Sequence, residues 1–143
     1  MFNTILICSD GSDHALKAAK QAVEIARLHE ACLVLLHVEP SELQPYAVPW
    51  QLEIGQAPTQ HLSAEHKANL EATKALCKDE RVTYRCRHEH GHPAEQIIRV
   101  AEEEEADLIV MGSRGLSEWK ALLLGSVSDH VLHHAHCSVL IVR

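Results

Sequence analysis

Cys32-Leu33-Val34-Leu35-Leu36-His37-Val38 is a nearly continuous apolar run of strand length. A strand with one wet face alternates apolar and polar residues, so a run of this kind belongs to a strand covered on both sides, as in a parallel sheet wrapped by helices. The sequence around it repeats the theme. Thr4–Cys8, Leu108–Met111 and Val139–Val142 are further short runs rich in branched apolar residues. Val82–His88 instead alternates Val82, Tyr84 and Cys86 with Thr83, Arg85 and Arg87, the pattern of an edge strand with one wet face. Helical patterns separate these runs. Ser12 caps one whose apolar face is Ala15, Ala19, Ala22 and Ala26, with Leu16 and Val23 beside it. Ser63 caps a second through Ala68, Ala72, Ala75 and Leu76. Pro93 opens a third through Ile97, Val100, Ala101 and Glu104, and Gly125-Ser126 a fourth through Val127, Val131 and Leu132. Five strands and four helices in strict alternation predict one α/β domain over residues 1–143. It is a doubly wound, five-stranded parallel sheet of order 3-2-1-4-5, with right-handed crossovers and helices on both faces.

Composition narrows the function. The chain has 143 residues, with 13 basic and 20 acidic side chains and a formal net charge of −7. That balance argues against coating nucleic acid or an anionic membrane. Aromatic residues make up only 3%, too few for a platform that stacks single-stranded bases. The five cysteines (Cys8, Cys32, Cys77, Cys86 and Cys137) lack CxxC spacing, which disfavours a disulfide framework or a four-cysteine zinc site. No apolar run approaches the roughly 18 residues of a membrane span, and the expectation is a soluble, cytoplasmic protein.

Two connections are long for such a domain. Residues 39–62 contain Pro40, Pro45, Pro49 and Pro58 with Tyr46 and Trp50, and residues 112–125 join the fourth strand to the last helix. In an open doubly wound sheet, ligands bind beyond the carboxyl ends of the strands where the order reverses, here between strands one and four. Ser9-Asp10-Gly11-Ser12 follows strand one and Gly112-Ser113-Arg114-Gly115 follows strand four, so both segments meet at that crevice. Glycine lets backbone N–H groups approach an anion, and Gly125-Ser126 opens a helix whose N-terminus is itself an anion site. Each glycine alone is a turn or a cap. Together, with Ser126, Ser128 and Arg114 nearby, they favour phosphate binding. Neither GxxxxGK[ST] nor GxGxxG occurs in the chain.

The pattern Gly-x2-Gly-x9-Gly-Ser, formed by Gly112, Gly115, Gly125 and Ser126, resembles that of ATP-binding universal stress proteins. The resemblance spans nearly the whole chain, from the opening ILxxxDGS (Ile5 to Ser12) through LLHV, Gly91-His92-Pro93-Ala94-Glu95 and ADLIVMGSRG to LLGSVSDHVLHHAHCSVLIV. It implies a site for ATP with Mg2+. Ser9, Asp10 and the backbone of Val38 would lie toward adenine and ribose, and Met111, Gly112, Arg114 and Gly115 along ribose and phosphates. Gly125, Ser126, Val127 and Ser128 would hold phosphates at the last helix. Departures are Ser138, where many relatives have proline, and Cys8-Ser9 in place of an apolar pair. Read from the residues alone, Asp10 is as much an Asx-turn or helix cap after strand one as a ligand-site residue.

The implied function is a stress-response regulator or adaptor with slow or no ATP hydrolysis, acting on an unknown downstream protein partner. No catalytic residue is assigned, because Asp10 is the only carboxylate placed in the crevice. The alternatives are an ATP-dependent enzyme of the related adenine-nucleotide hydrolase class and a nucleotide-free interaction module. His88, His90 and His92 alternate along one stretch, while His130, His133 and His134 share helical spacing with His136 beyond; spacing alone supplies no convergent metal geometry, and no metal site is expected. Glu102–Glu105 opposes the dipole of the third helix and reads as a solvated face. The last strand, followed only by Arg143, is an open edge in the 3-2-1-4-5 order, and a homodimer through it is expected.

Overall fold

The computed structural model describes residues 1–39, 64–113 and 124–143. The strands are β1 (Thr4–Cys8), β2 (Cys32–Glu39), β3 (Tyr84–His90), β4 (Leu108–Gly112) and β5 (Ser138–Val142). The helices are α1 (Asp13–His29), α2 (Ala64–Asp79), α3 (Pro93–Glu103) and α4 (Ser126–His134). All strand pairings are parallel and the order is β3-β2-β1-β4-β5, as the alternating pattern predicts. Ser63 and most of both long connections, with Tyr46, Trp50 and the four prolines, lie outside the described residues.

The run that decides the fold does so through its two faces. Leu33 and Leu35 enter a core with Ile5, Ile7, Val110 and the α1 residues Ala18, Ala19, Ala22 and Ala26. Val34 and Leu36 enter the opposite core with Leu6, Ile109, Met111, Ile97, Val100 and Val131. The four alanines of α1 let the helix axis approach the sheet closely. Ser12 caps it, its Oγ accepting from the Ala15 amide at 3.1 Å. Asp107, just before β4, accepts from the Asn3 and Thr4 amides at 2.6 and 3.0 Å, and these amides hold its carboxyl below the ordinary range, Thr4 most strongly.

Four expectations require correction. The third strand is displaced to Tyr84–His90. Val82 is buried but precedes the ladder, which begins at Leu33–Tyr84 and continues to Glu39–His90 because β2 is long enough to pair that far. On β3, Cys86 is exposed and Arg87 is half-buried, the reverse of the expected alternation, because Arg87 is drawn against α3 by acidic partners. The inward face of α2 is not its alanine stripe. Ala68 and Ala75 are exposed, whereas Thr73 and Cys77 are buried and Asn69 donates to the Gly11 carbonyl at 2.9 Å. Leu132 on α4 is also exposed, leaving Val131 as that helix's buried apolar anchor.

The acidic run is exposed at Glu102, Glu103 and Glu105, as a solvated face is, with Glu104 half-buried, and it is also paired. Glu104 receives Arg85 Nε at 2.8 Å and Arg87 at 2.6 Å, Glu103 receives Arg87 at 2.9 Å, and Arg99 bridges Glu103 to Glu89. Glu102 lies 3.0 Å from His136. These pairs close the polar face of β3 over the end of α3.

Candidate functional site

The sheet divides at the carboxyl ends of β1 and β4. Their pairing runs from Ile5–Leu108 to Ile7–Val110 and goes no further. Beyond that point β1 stays with β2 through Cys8–Leu36, while β4 stays with β5 through Gly112–Val142. The helices follow on opposite sides: α1 returns over one face, and α3 and α4 pack on the other. A crevice at the reversal of strand order results.

Ser9, Asp10, Gly112, Gly125, Ser126, Val127 and Ser128 are all brought to this end of the sheet. Ser9 is buried and its amide donates to the Leu36 carbonyl at 2.9 Å. Asp10 Oδ1 accepts from the Ser12 amide at 2.8 Å, so the Asx-turn is the arrangement present, with Gly11 at φ 80° completing it. Ser113, just after β4, is tied to both neighbours: its N–H donates to the Val142 carbonyl at 2.9 Å, and the Gly125 N–H donates to the Ser113 carbonyl at 2.7 Å. Ser128, buried on the first turn of α4, donates its hydroxyl to the Gly112 carbonyl at 2.8 Å. That bond ties the start of α4 to the end of β4. Met111 is buried in the core, which leaves its backbone rather than its side chain for the crevice, and Val127 packs against the same core. Val38 is half-buried at the end of β2. Arg114 and Gly115 lie outside the described residues.

Two features were not visible in the sequence. Gly112 is tightly approached by α1: a Cβ there would meet His14 Cβ at 2.9 Å and its backbone carbon at 3.0 Å. His14 is thereby a wall residue of the crevice, and its Nδ1 is buried with no hydrogen-bond partner among the described residues. Only its place one turn beyond Asp10 hinted at this. Cys8, next to the crevice, is no candidate nucleophile. Burial, and secondarily the charge of Asp10, push its thiol well above the ordinary range, whereas thiol reactivity requires the thiolate.

The model of the universal stress protein family matches residues 1–143. The chain belongs to this family. A universal stress protein of Thermus aquaticus is 38% identical over 145 residues, covering 100% of both chains. Among solved structures, the hypothetical protein MJ0577 matches this universal stress protein with a TM-score of 0.78 at 30% identity, covering 99% of this chain and 96% of the other. A universal stress protein in complex with cAMP matches with a TM-score of 0.70 at 28% identity, covering 99% and 97%. No helix among the described residues is long and apolar enough to cross a membrane.

Proposed function

We propose that this universal stress protein binds ATP with Mg2+ in the crevice between β1 and β4 and works in the cytoplasm as a nucleotide-dependent regulator or adaptor. The observation that carries the reading is the parting of β1 and β4 after Ile7–Val110, which gathers Ser9-Asp10, Gly112 and the start of α4 around one opening. Ser9, Asp10 and the Val38 backbone serve the nucleoside end. The Met111 and Gly112 backbone, with Arg114 and Gly115, serves ribose and phosphates, and Gly125 to Ser128 serve phosphates at the N–H-rich end of α4. Ser128, bonded to the Gly112 carbonyl, positions that helix end. The buried His14 Nδ1, without a partner among the described residues, fits a polar ligand beside Gly112, because such atoms are rare without one. The cAMP complex of the 28%-identical relative supports an adenine nucleotide as the ligand class.

Turnover is slow or absent in this reading. Asp10 has one oxygen committed to a turn, and no other carboxylate is assigned to the phosphates as base or Mg2+ ligand. Isothermal titration of ATP into the wild type and Gly115→Val tests the assignment. The branched side chain blocks backbone approach to phosphate, so the variant, still folded by circular dichroism, loses at least about tenfold in affinity, or about 1.4 kcal/mol. Unchanged affinity removes the site. In the same preparations, hydrolysis stays below about 1 per second, the lower end of ordinary enzymes; a faster rate lost in the variant overturns the regulator reading.

A further inference from the structure

Beside the crevice, on the face that carries α1 and α2, the ends of β2 and β3 bring together side chains with no role in the nucleotide reading. The register sets His37 against His88 and Glu39 against His90. His37 and Glu39 continue the side of β2 that carries Leu33 and Leu35, and His88 and His90 continue the side of β3 that carries Tyr84. The rings of His37 and His88 lie 5.2 Å apart, and His90 stacks on His88 at 5.2 Å. Glu39 Oε2 stands 3.6 Å from His88 Nε2 and 3.3 Å from His90 Nδ1.

We infer that His37, Glu39 and His88 form a binding site for a divalent transition-metal cation of the Zn2+ type. One ligand atom from each lies within 4.8 Å of the other two. His37 supplies the strongest reason. Its Nδ1 is 2.9 Å from the Ser9 carbonyl, which can only accept, so Nδ1 carries the proton and Nε2 carries the lone pair. A histidine whose ring N–H is held by a backbone carbonyl is oriented as metal-ligating histidines are. That Nε2 is buried with no hydrogen-bond partner among the described residues, and such an orphaned acceptor is costly unless something fills it. The carboxylate of Glu39 excludes an anion as the filler. Two imidazoles and one carboxylate are a donor set for Zn2+, with bonds of about 2.0–2.2 Å and therefore ligand atoms about 3.3–3.6 Å apart at tetrahedral angles. The present spread closes to that by rotation of Glu39 and His88, whose side chains are 42% and 56% exposed, while His37 stays fixed by Ser9. A fourth position remains for water or for His90. Spacing along the chain could not show the site, because His37 and His88 are neighbours only through the parallel register.

The test titrates Zn2+ alone into the nucleotide-free wild type, with a chromophoric chelator as competitor. One Zn2+ per chain binds with a Kd of about 10 μM or tighter. His88→Ala and Glu39→Gln, both at half-exposed positions and so compatible with folding, each weaken it by at least about tenfold. The double variant of His130→Ala with His134→Ala, which removes the separate stacked pair on α4, binds as the wild type does. Zinc-edge X-ray absorption of the wild-type complex reads two imidazoles with oxygen completing the shell. Absence of saturable binding, wild-type affinity in both His88→Ala and Glu39→Gln, or a shell with fewer than two imidazoles overturns the assignment. None of these readings depends on whether ATP binds.

Discussion

Gly112 shows how one residue answers to two demands. Its spacing from Gly115 and Gly125 points to phosphate, yet the folded chain also needs it bare because the first turn of α1 sits against it. A methyl group there would lie 2.9 Å from His14 Cβ and 3.0–3.1 Å from the His14 backbone carbon and oxygen, atoms that cannot rotate away. Gly112→Ala therefore destabilises the nucleotide-free protein by about 1–3 kcal/mol, the cost of overpacking a close contact. Urea unfolding without ATP isolates this effect from any loss of binding; an unchanged midpoint refutes the packing account. The glycine motif and the Ser9-Asp10 turn were legible because they are local in sequence. The approach of His14 to Gly112 and the meeting of His37 with His88 were not, because crossovers and strand register bring distant segments together.

Among the elements, β1, β2 and β4 were readable because strands buried on both faces consist of apolar residues and little else. β3 was harder. As an edge strand it ends in His88-Glu89-His90, polar residues that announce a loop, and it is held in the ladder by the length of β2. Its outer face is secured electrostatically by α3. Glu104 is central, with a side chain only 13% exposed and contacts to both Arg85 and Arg87. The Arg85 guanidinium, followed by that of Arg87, holds the Glu104 carboxyl below its ordinary range. A carboxyl lowered by folding contributes stability above its unfolded pKa, about 4.3 for glutamate, and that contribution disappears as pH falls through the lower folded value. Glu104→Gln thus costs about 1 kcal/mol at pH 7, discounted for the half-exposed arginines. The gap from wild type narrows in urea melts at about pH 3 and also in 1 M salt at pH 7. A gap that stays constant across both conditions assigns the loss to shape instead of charge.

At the scale of the whole molecule, β3 and β5 are the two edges of the sheet, and they differ in protection. The charged pairs with α3 and the histidines guard β3. β5 has the sequence SVLIV, with Val139 to Val142 half-buried, and among the described residues it pairs with β4 alone. Leu140 and Val142 lean on the α1 face and Val139 and Ile141 on the α3–α4 face, so the strand is apolar on both sides with one row of backbone groups free of strand pairing. Such an edge invites another strand, and two copies meeting antiparallel about a two-fold axis satisfy both rows at once and close the assembly. A homodimer through β5 is the expected state. Ile141→Lys places two ammonium groups near each other across that axis, shifting dimer toward monomer, and urea unfolding of the variant checks that the protomer itself survives. Sedimentation velocity at tens of micromolar, about the range where a modest interface is populated, reads the outcome. A wild type that sediments as a monomer there, or a folded Ile141→Lys protein that remains as dimeric as the wild type, places the contact elsewhere or nowhere.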